Sequence, residues 1–243
     1  MTTGARPAFY ALAPGGWRDY VTLLHPPYTL WHLSYTAIGA GLAPELHADR
    51  LLLALAAFFL AMGVGAHALD ELKGRPLQTR IPEPVLMGLA AGSIAGAVAI
   101  GILASAVYTA WLLPLVAFGG FIVVAYNLEL FGGRLHDALW FSLSWGALPV
   151  LAGYLVNAER IGDEAVAAAA FAALLSWAQR ILSTPVRDVR RRVAAVSGTI
   201  RYRDGRDEPV GPRTLMGAPE AGLRVLAAAT VALAVALVLA HAT

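Results

Sequence analysis

The sequence predicts an all-α, polytopic membrane bundle of about seven transmembrane helices. Two observations predict it. Only 14% of the 243 residues are charged and 58% are hydrophobic, whereas a soluble domain carries about 25% charged residues. So few charges could not coat a globule. Apolar stretches approaching the roughly 20 residues that cross a bilayer also recur, at about 28–46, 51–69, 84–104, 107–128, 137–156, 161–180 and 219–242. The chain has no cysteine, which removes disulfides, thiolate metal ligands and cysteine nucleophiles together. A net charge of +2 without a soluble basic module makes the lipid bilayer, not nucleic acid, the expected partner.

Each span has its own signature. The first is interrupted by Thr29, His32, Ser34, Tyr35 and Thr36, with His32 read as a hydrogen-bonded structural group. It follows a segment holding Pro7, Pro14, Pro26 and Pro27, and no small-residue cleavage site follows it, unlike a signal peptide. The second runs from Leu51 to Leu69 without a charge, and the third turns into the fourth near Ser105. Gly88, Gly92 and Gly96 repeat at four-residue spacing in the third, a pattern that lets helices pack closely. Trp140, Phe141 and Trp145 give the fifth an aromatic stripe, for a cavity or an interfacial belt. The sixth is Ala-rich, and Pro185 is expected to stop or kink it. The seventh closes the chain.

Basic residues set the orientation. With seven spans, Arg50 and Arg160 fall on one side and the other sixteen of the 18 basic residues on the opposite side. Positive charge is retained in the cytoplasm, so the N-terminus is expected inside and the C-terminus outside, in the plasma membrane of a prokaryote. This gives a cytoplasmic N-terminal segment (1–27) and one transmembrane domain (28–243) with a cytoplasmic loop at about 181–218. In that loop Thr199 to Arg203 reads as a strand before the Asp204-Gly205 turn signal, so a small hairpin is expected.

Three clusters could carry chemistry, all at cytoplasmic span ends. His67, Asp70 and Glu71 share a 100° arc at the end of the second span. An imidazole and two carboxylates can hold a divalent cation or move protons, though a solvated helix end carries the same residues. Lys73, Arg75 and Arg80 follow, either as anion ligands beside those carboxylates or as positive-inside anchors. Asn127, Glu129 and His136 lie between the fourth and fifth spans, where they can approach the His67 face. Gln179 and Arg180 end the sixth span; Arg187, Arg190, Arg191 and Arg192 follow, as a phosphate clamp or as contacts to anionic lipid headgroups.

In this order and context, roughly residues 17–240 resemble the UbiA superfamily of intramembrane prenyltransferases. VTLLHPPYTLWHLSYTAIGAG looks like the family's opening. Ala66, His67, Asp70 and Gly74 stand at the four positions of its first aspartate-rich motif, so one Asp is kept, and Arg75-Pro76-Leu77 echoes the stretch that follows. The segment 125–154 resembles the family's fourth-to-fifth helix passage. At the second motif the chain offers Gln179, Arg180 and Asp188 without the Asp-x-x-x-Asp spacing, and it has seven spans where the family typically has nine.

The resemblance implies transfer of a prenyl group from a lipid diphosphate to an acceptor. It implies a divalent cation, magnesium in the family's manner, held by His67, Asp70, Glu71, Glu129 and His136. Asp70, Glu71 and Asn127 would be the catalytic residues, and Arg75, Arg80, Gln179, Arg180 and Arg187 would bind the substrate. Two other readings stay open: a different metal-dependent membrane enzyme closing His67, Glu129 and His136 on one metal, and a non-catalytic lipid-binding protein.

Overall fold

The structure, a computed structural model, describes residues 6–241. The ends of the expected N-terminal segment (1–5) and of the last span (242–243) lie outside the described residues. The chain is 72% helical, as backbone that cannot hydrogen-bond to lipid must be. The helices are α1 (Trp17–Leu23), α2 (Pro26–Gly41), α3 (Ala48–Leu72), α4 (Glu83–Val107), α5 (Leu112–Asn127), α6 (Ala138–Ala158), α7 (Asp163–Arg191) and α8 (Pro212–Leu239). Five of them, α3, α4, α6, α7 and α8, are long and apolar enough to cross a membrane. α5 is apolar but 16 residues long. α2 is also 16 residues long, and its polar residues Thr29, His32, Ser34 and Thr36 are buried against the other helices. The expected hairpin is present: β1 (Thr199–Arg201) pairs antiparallel with β2 (Asp207–Pro209), and Gly205 takes a φ of 87° in the turn.

α2 is the centre of the packing. Trp31, Tyr35 and Ile38 are buried against Val150 of α6, Ala169 and Ala172 of α7, and Leu223 and Ala227 of α8. Trp31 Nε1 donates to the Tyr35 hydroxyl at 2.7 Å, which also accepts from Ser176 Oγ at 3.3 Å. Glycines let α2 and α6 approach backbone to backbone. A Cβ on Gly39 would lie 2.0 Å from the Val150 carbonyl oxygen, and one on Gly153 would lie 2.1 Å from that of Thr36. The expected glycine stripe does not do this: a Cβ on Gly88 or Gly92 would meet nothing within 4 Å, and one on Gly96 only the tip of Leu60. Four-residue spacing therefore marks an open face of α4, not a helix contact.

Two helices leave α geometry, over Phe59–Ala66 in α3 and Leu143–Ala147 in α6, where the turns widen to π-helix. Such turns are frequent at functional sites because they redirect side chains and carbonyls. α7 runs on to Arg191 through Pro185, so of the expected stop or kink the stop is absent. Pro185 supplies no N–H, and just upstream the Arg180 carbonyl is occupied by Thr184 Oγ1 at 2.7 Å.

Contacts sort the connections into two ends of the bundle. At one end Arg190 reaches the Arg6 carbonyl, Arg80 N reaches Asp19, and Lys73 reaches Glu129. At the other, Arg50 pairs with Glu159, His47 N donates to Asn157, and His241 bonds the Gly41 carbonyl.

Gly39→Ala should force α2 and α6 apart and lower stability by about 1–3 kcal/mol, the usual cost of overpacking. The check is thermal unfolding in detergent. A midpoint equal to that of the native chain would mean that this helix contact is looser than described.

Candidate functional site

A cavity of about 550 Å³ opens at the end of the bundle that carries the N-terminal segment. That is a usual size for a small-molecule site, roughly 300–1,000 Å³. The structure brings His67, Asp70, Asn127, Glu129, His136, Gln179, Arg180 and Arg187 together on its walls. Residues from α3, α5 and α7 and from the loop after α5, far apart in sequence, thus line one space.

Three expected residues are not on that wall. Glu71 is buried at 1% exposure, and its carboxylate accepts from Leu77 N at 2.9 Å and from Thr79 N and Oγ1 at 2.8 and 2.9 Å. It folds the loop after α3 instead of facing the cavity, because one residue's step rotates it 100° from Asp70. Arg75 is turned into the same loop, donating to the carbonyls of Thr79 and Ile81 at 3.3 and 2.6 Å. Arg80 is exposed, and its backbone N–H donates to Asp19 Oδ2 at 2.8 Å. The other Asp19 oxygen accepts from Gly15 N at 2.9 Å. The Arg-Pro-Leu stretch is therefore a folded brace between α1 and α3.

The expected metal ligands do not gather. Among the described residues no group of three or more His, Asp or Glu side chains could hold a metal ion. His67 Nδ1 is committed to the Gly63 carbonyl at 3.1 Å, within the widened part of α3, and His136 Nδ1 to the Tyr126 carbonyl at 2.9 Å. A carbonyl only accepts, so each of these Nδ1 atoms carries the proton. Glu129 pairs with Lys73 at 2.6 Å. That hydrogen bond holds its carboxyl below the ordinary range. His32 also lines the cavity, with Nδ1 donating to the Trp145 carbonyl at 2.9 Å. Pro149, four residues beyond Trp145, has no N–H to offer that carbonyl.

Cations dominate the opposite wall. Continuing α7 past Pro185 aligns Arg180, Arg187 and Arg191, at spacings of seven and four, within a narrow arc of one helix face. Among the described residues no carboxylate lies within 4.0 Å of any of the three. Arg180 donates to the Tyr126 hydroxyl and lies over the Tyr126 and Phe141 rings at 5.8 and 5.7 Å. Arg187 donates to Thr184 Oγ1 at 3.3 Å, and Arg191 to the Pro7 carbonyl at 3.4 Å. The cavity's other cations are paired, Arg190 with Glu220 and Arg192 with Asp188. With Glu129 and Asp188 taken, Asp70 alone opposes three guanidiniums. Half-buried charge of one sign is costly unless a counter-charge binds.

Aromatic rings form the deeper part. Phe141 stacks on Trp145 at 5.5 Å, Tyr126 on His136 at 4.3 Å, and Tyr126 contacts Trp145 at 4.7 Å. Trp140 packs beside them against Phe118, off the cavity wall. One to two turns further along α3, α5 and α6 lies a wholly apolar groove, lined among others by Phe58, Ala61, Gly119, Val123 and Leu148. Met62, Ile122 and Trp145 belong to a buried cluster that also contains residues lining each of the two spaces, Phe58 and Val123 of the groove and Ala66 and Tyr126 of the cavity.

Sequence reasoning missed the N-terminal segment. Pro7 to Tyr10, His25 and Tyr28 all line the cavity. His25 stacks on His67 with centroids 4.0 Å apart. The His25-Pro26-Pro27 junction was the available signal, since proline is favoured in the first turn of a helix and so marks where the preceding segment meets α2.

Compared with known protein families, curated protein sequences and solved structures, the chain matches none.

Glu71→Ala leaves two buried backbone N–H groups without acceptors and should cost about 2–4 kcal/mol. Thermal unfolding in detergent reads the loss. A Glu71→Ala midpoint equal to that of the native chain would mean that the carboxylate does not hold the 73–80 loop.

Proposed function

We propose that this chain is an integral membrane protein of the UbiA prenyltransferase type, transferring a prenyl group from a lipid diphosphate to an acceptor. The observation that carries this reading is the stripe of Arg180, Arg187 and Arg191, without carboxylate partners, in a cavity next to an apolar groove. A molecule with a concentrated negative charge on a hydrocarbon chain complements both. Guanidinium groups bind phosphate oxygens with paired N–H donors, and the groove receives the chain when the flexible Met62 side chain moves aside. The protein crosses the plasma membrane of a prokaryote seven times, with α2 and α5 as its short spans. The cavity opens to the cytoplasm, the N-terminus is inside and the C-terminus outside.

The donor set does not fit the magnesium pair of the family, since the carboxylates that would hold it are dispersed or absent. The bond from the allylic carbon to the diphosphate oxygen breaks, and the oxygen keeps the electron pair. Arg180, Arg187 and Arg191 stabilise the leaving charge where it develops. The allylic cation is captured by the acceptor's nucleophilic atom. The acceptor then gives up a proton, which Asp70 accepts. Asn127 donates Nδ2–H to the Val123 carbonyl at 2.7 Å, which leaves its Oδ1 to orient the acceptor.

The same missing carboxylates favour a second reading, a protein that binds an isoprenoid diphosphate without turning it over. Labelled prenyl diphosphate supplied with a membrane extract separates the two. Transfer should survive a chelator and fall by about 10–1,000-fold in Arg187→Gln. Transfer that stops in chelator would restore a metal mechanism. Tight binding without any transfer would select the second reading.

A further inference from the structure

The N-terminal segment does more than cover the cavity. His25 lines the cavity, and its Nε2 is buried with no hydrogen-bond partner among the described residues. Buried polar atoms are almost always paired, so an unpartnered nitrogen on a residue that lines a cavity calls for a partner that a bound ligand can supply. The other ring nitrogen is occupied: Nδ1 lies 2.6 Å from the Tyr10 hydroxyl. This is the only hydrogen bond that Tyr10 makes through its hydroxyl among the described residues, so the phenolic proton is satisfied only when it points at Nδ1. A neutral imidazole then has its single proton on Nε2. Burial, followed by the nearby His67, Arg191 and Arg187 charges, holds His25 well below the ordinary histidine range, and burial raises Tyr10 well above the ordinary tyrosine range. Both groups therefore keep these neutral forms at physiological pH.

Tyr10 is held in place by the cavity's own cations. Arg190 Nη1 donates to the Arg6 carbonyl at 3.1 Å and Arg191 Nε to the Pro7 carbonyl at 3.4 Å. Arg224 of α8 sits over the Phe9 ring at 4.6 Å, and Leu12 N donates to Thr22 Oγ1 at 3.0 Å. Building on the anion-binding reading above, we infer that His25, oriented by Tyr10, is a further binding residue for the ligand's phosphate oxygens, so that the N-terminal strap is part of the site. The donors on α7 and the His25 N–H then reach the anion from two sides of one cavity.

The backbone of His25 suggests a clean test. It adopts φ 46° and ψ 56°, a left-handed conformation that Asn tolerates and most residues resist. Asn also retains a polar atom near the Nδ1 position but nothing at Nε2. His25→Asn should therefore keep the turn and lose the contact. Tyr10→Phe removes only the hydroxyl.

The experiment is calorimetric titration of the full chain in detergent with inorganic diphosphate in chelator, alongside thermal unfolding without ligand. We expect the dissociation constant to rise about tenfold in His25→Asn and about three- to tenfold in Tyr10→Phe, with unfolding midpoints within about 2 °C of the native chain. Arg187→Gln serves as the reference for the anion site itself. If Arg187→Gln weakens binding while both strap variants bind like the native chain, the inference is overturned and the anion reading stands. A loss of affinity matched by early unfolding would make Tyr10 and His25 merely structural, and would also overturn it. If the native chain does not bind diphosphate at all, the anion reading fails and takes the inference with it.

Discussion

Three guanidinium groups on one face of α7, opposed by a single free carboxylate, are the constraint around which the rest of the molecule makes sense. Like charges in a half-buried space repel and are poorly hydrated, so the arrangement is unfavourable until a counter-charge arrives. Much of the surrounding structure removes the internal candidates. Glu71 is spent on the backbone of the 73–80 loop, Glu129 on Lys73, Glu220 on Arg190 and Asp188 on Arg192. What is left unbalanced is a cation surplus aimed at a space of ligand size.

The fold produces that space with a few local devices. The α2–α6 contact, made possible by Gly39 and Gly153, fixes the deep part of the bundle. The widened turns in α3 and α6 lie on two sides of the cavity. Carbonyls from within them, those of Gly63 and Trp145, orient His67 and His32. The uninterrupted α7 then carries its arginines over the opening. Arg191 and Arg190 in turn hold the N-terminal strap.

The class of the protein was legible because hydrophobic runs and scarce charge report the solvent directly. Most spans are in register with observed helices for the same reason. The candidate site was legible as a neighbourhood: polar and ionisable residues at apolar helix ends stand out, and eight of the eleven expected site residues line one cavity. Their individual roles were not legible. Asp70 and Glu71 are adjacent in sequence, and only the fold of the following loop separates a cavity carboxylate from a structural one. Pro185 reads as a helix stop or kink, since local propensity does not register the tertiary contacts, such as Arg190 with Glu220, that accompany the continuation of α7 to Arg191. Tyr10 is fifteen residues from His25 and in a proline-containing coil, where no periodicity marks its direction. The glycine stripe of α4 matched a packing pattern, but packing requires a partner surface that the sequence does not specify.

The central claim is that the α7 arginines are held in an electrostatically unfavourable state that a bound anion relieves. Replacing Arg187 with methionine, which keeps most of the volume and removes the charge, tests it most directly. Thermal unfolding should show the ligand-free Arg187→Met protein melting about 2–4 °C above the native chain, and inorganic diphosphate in chelator should stabilise the native chain far more than the variant. A variant that melts lower and is stabilised by diphosphate as fully as the native chain would contradict the account.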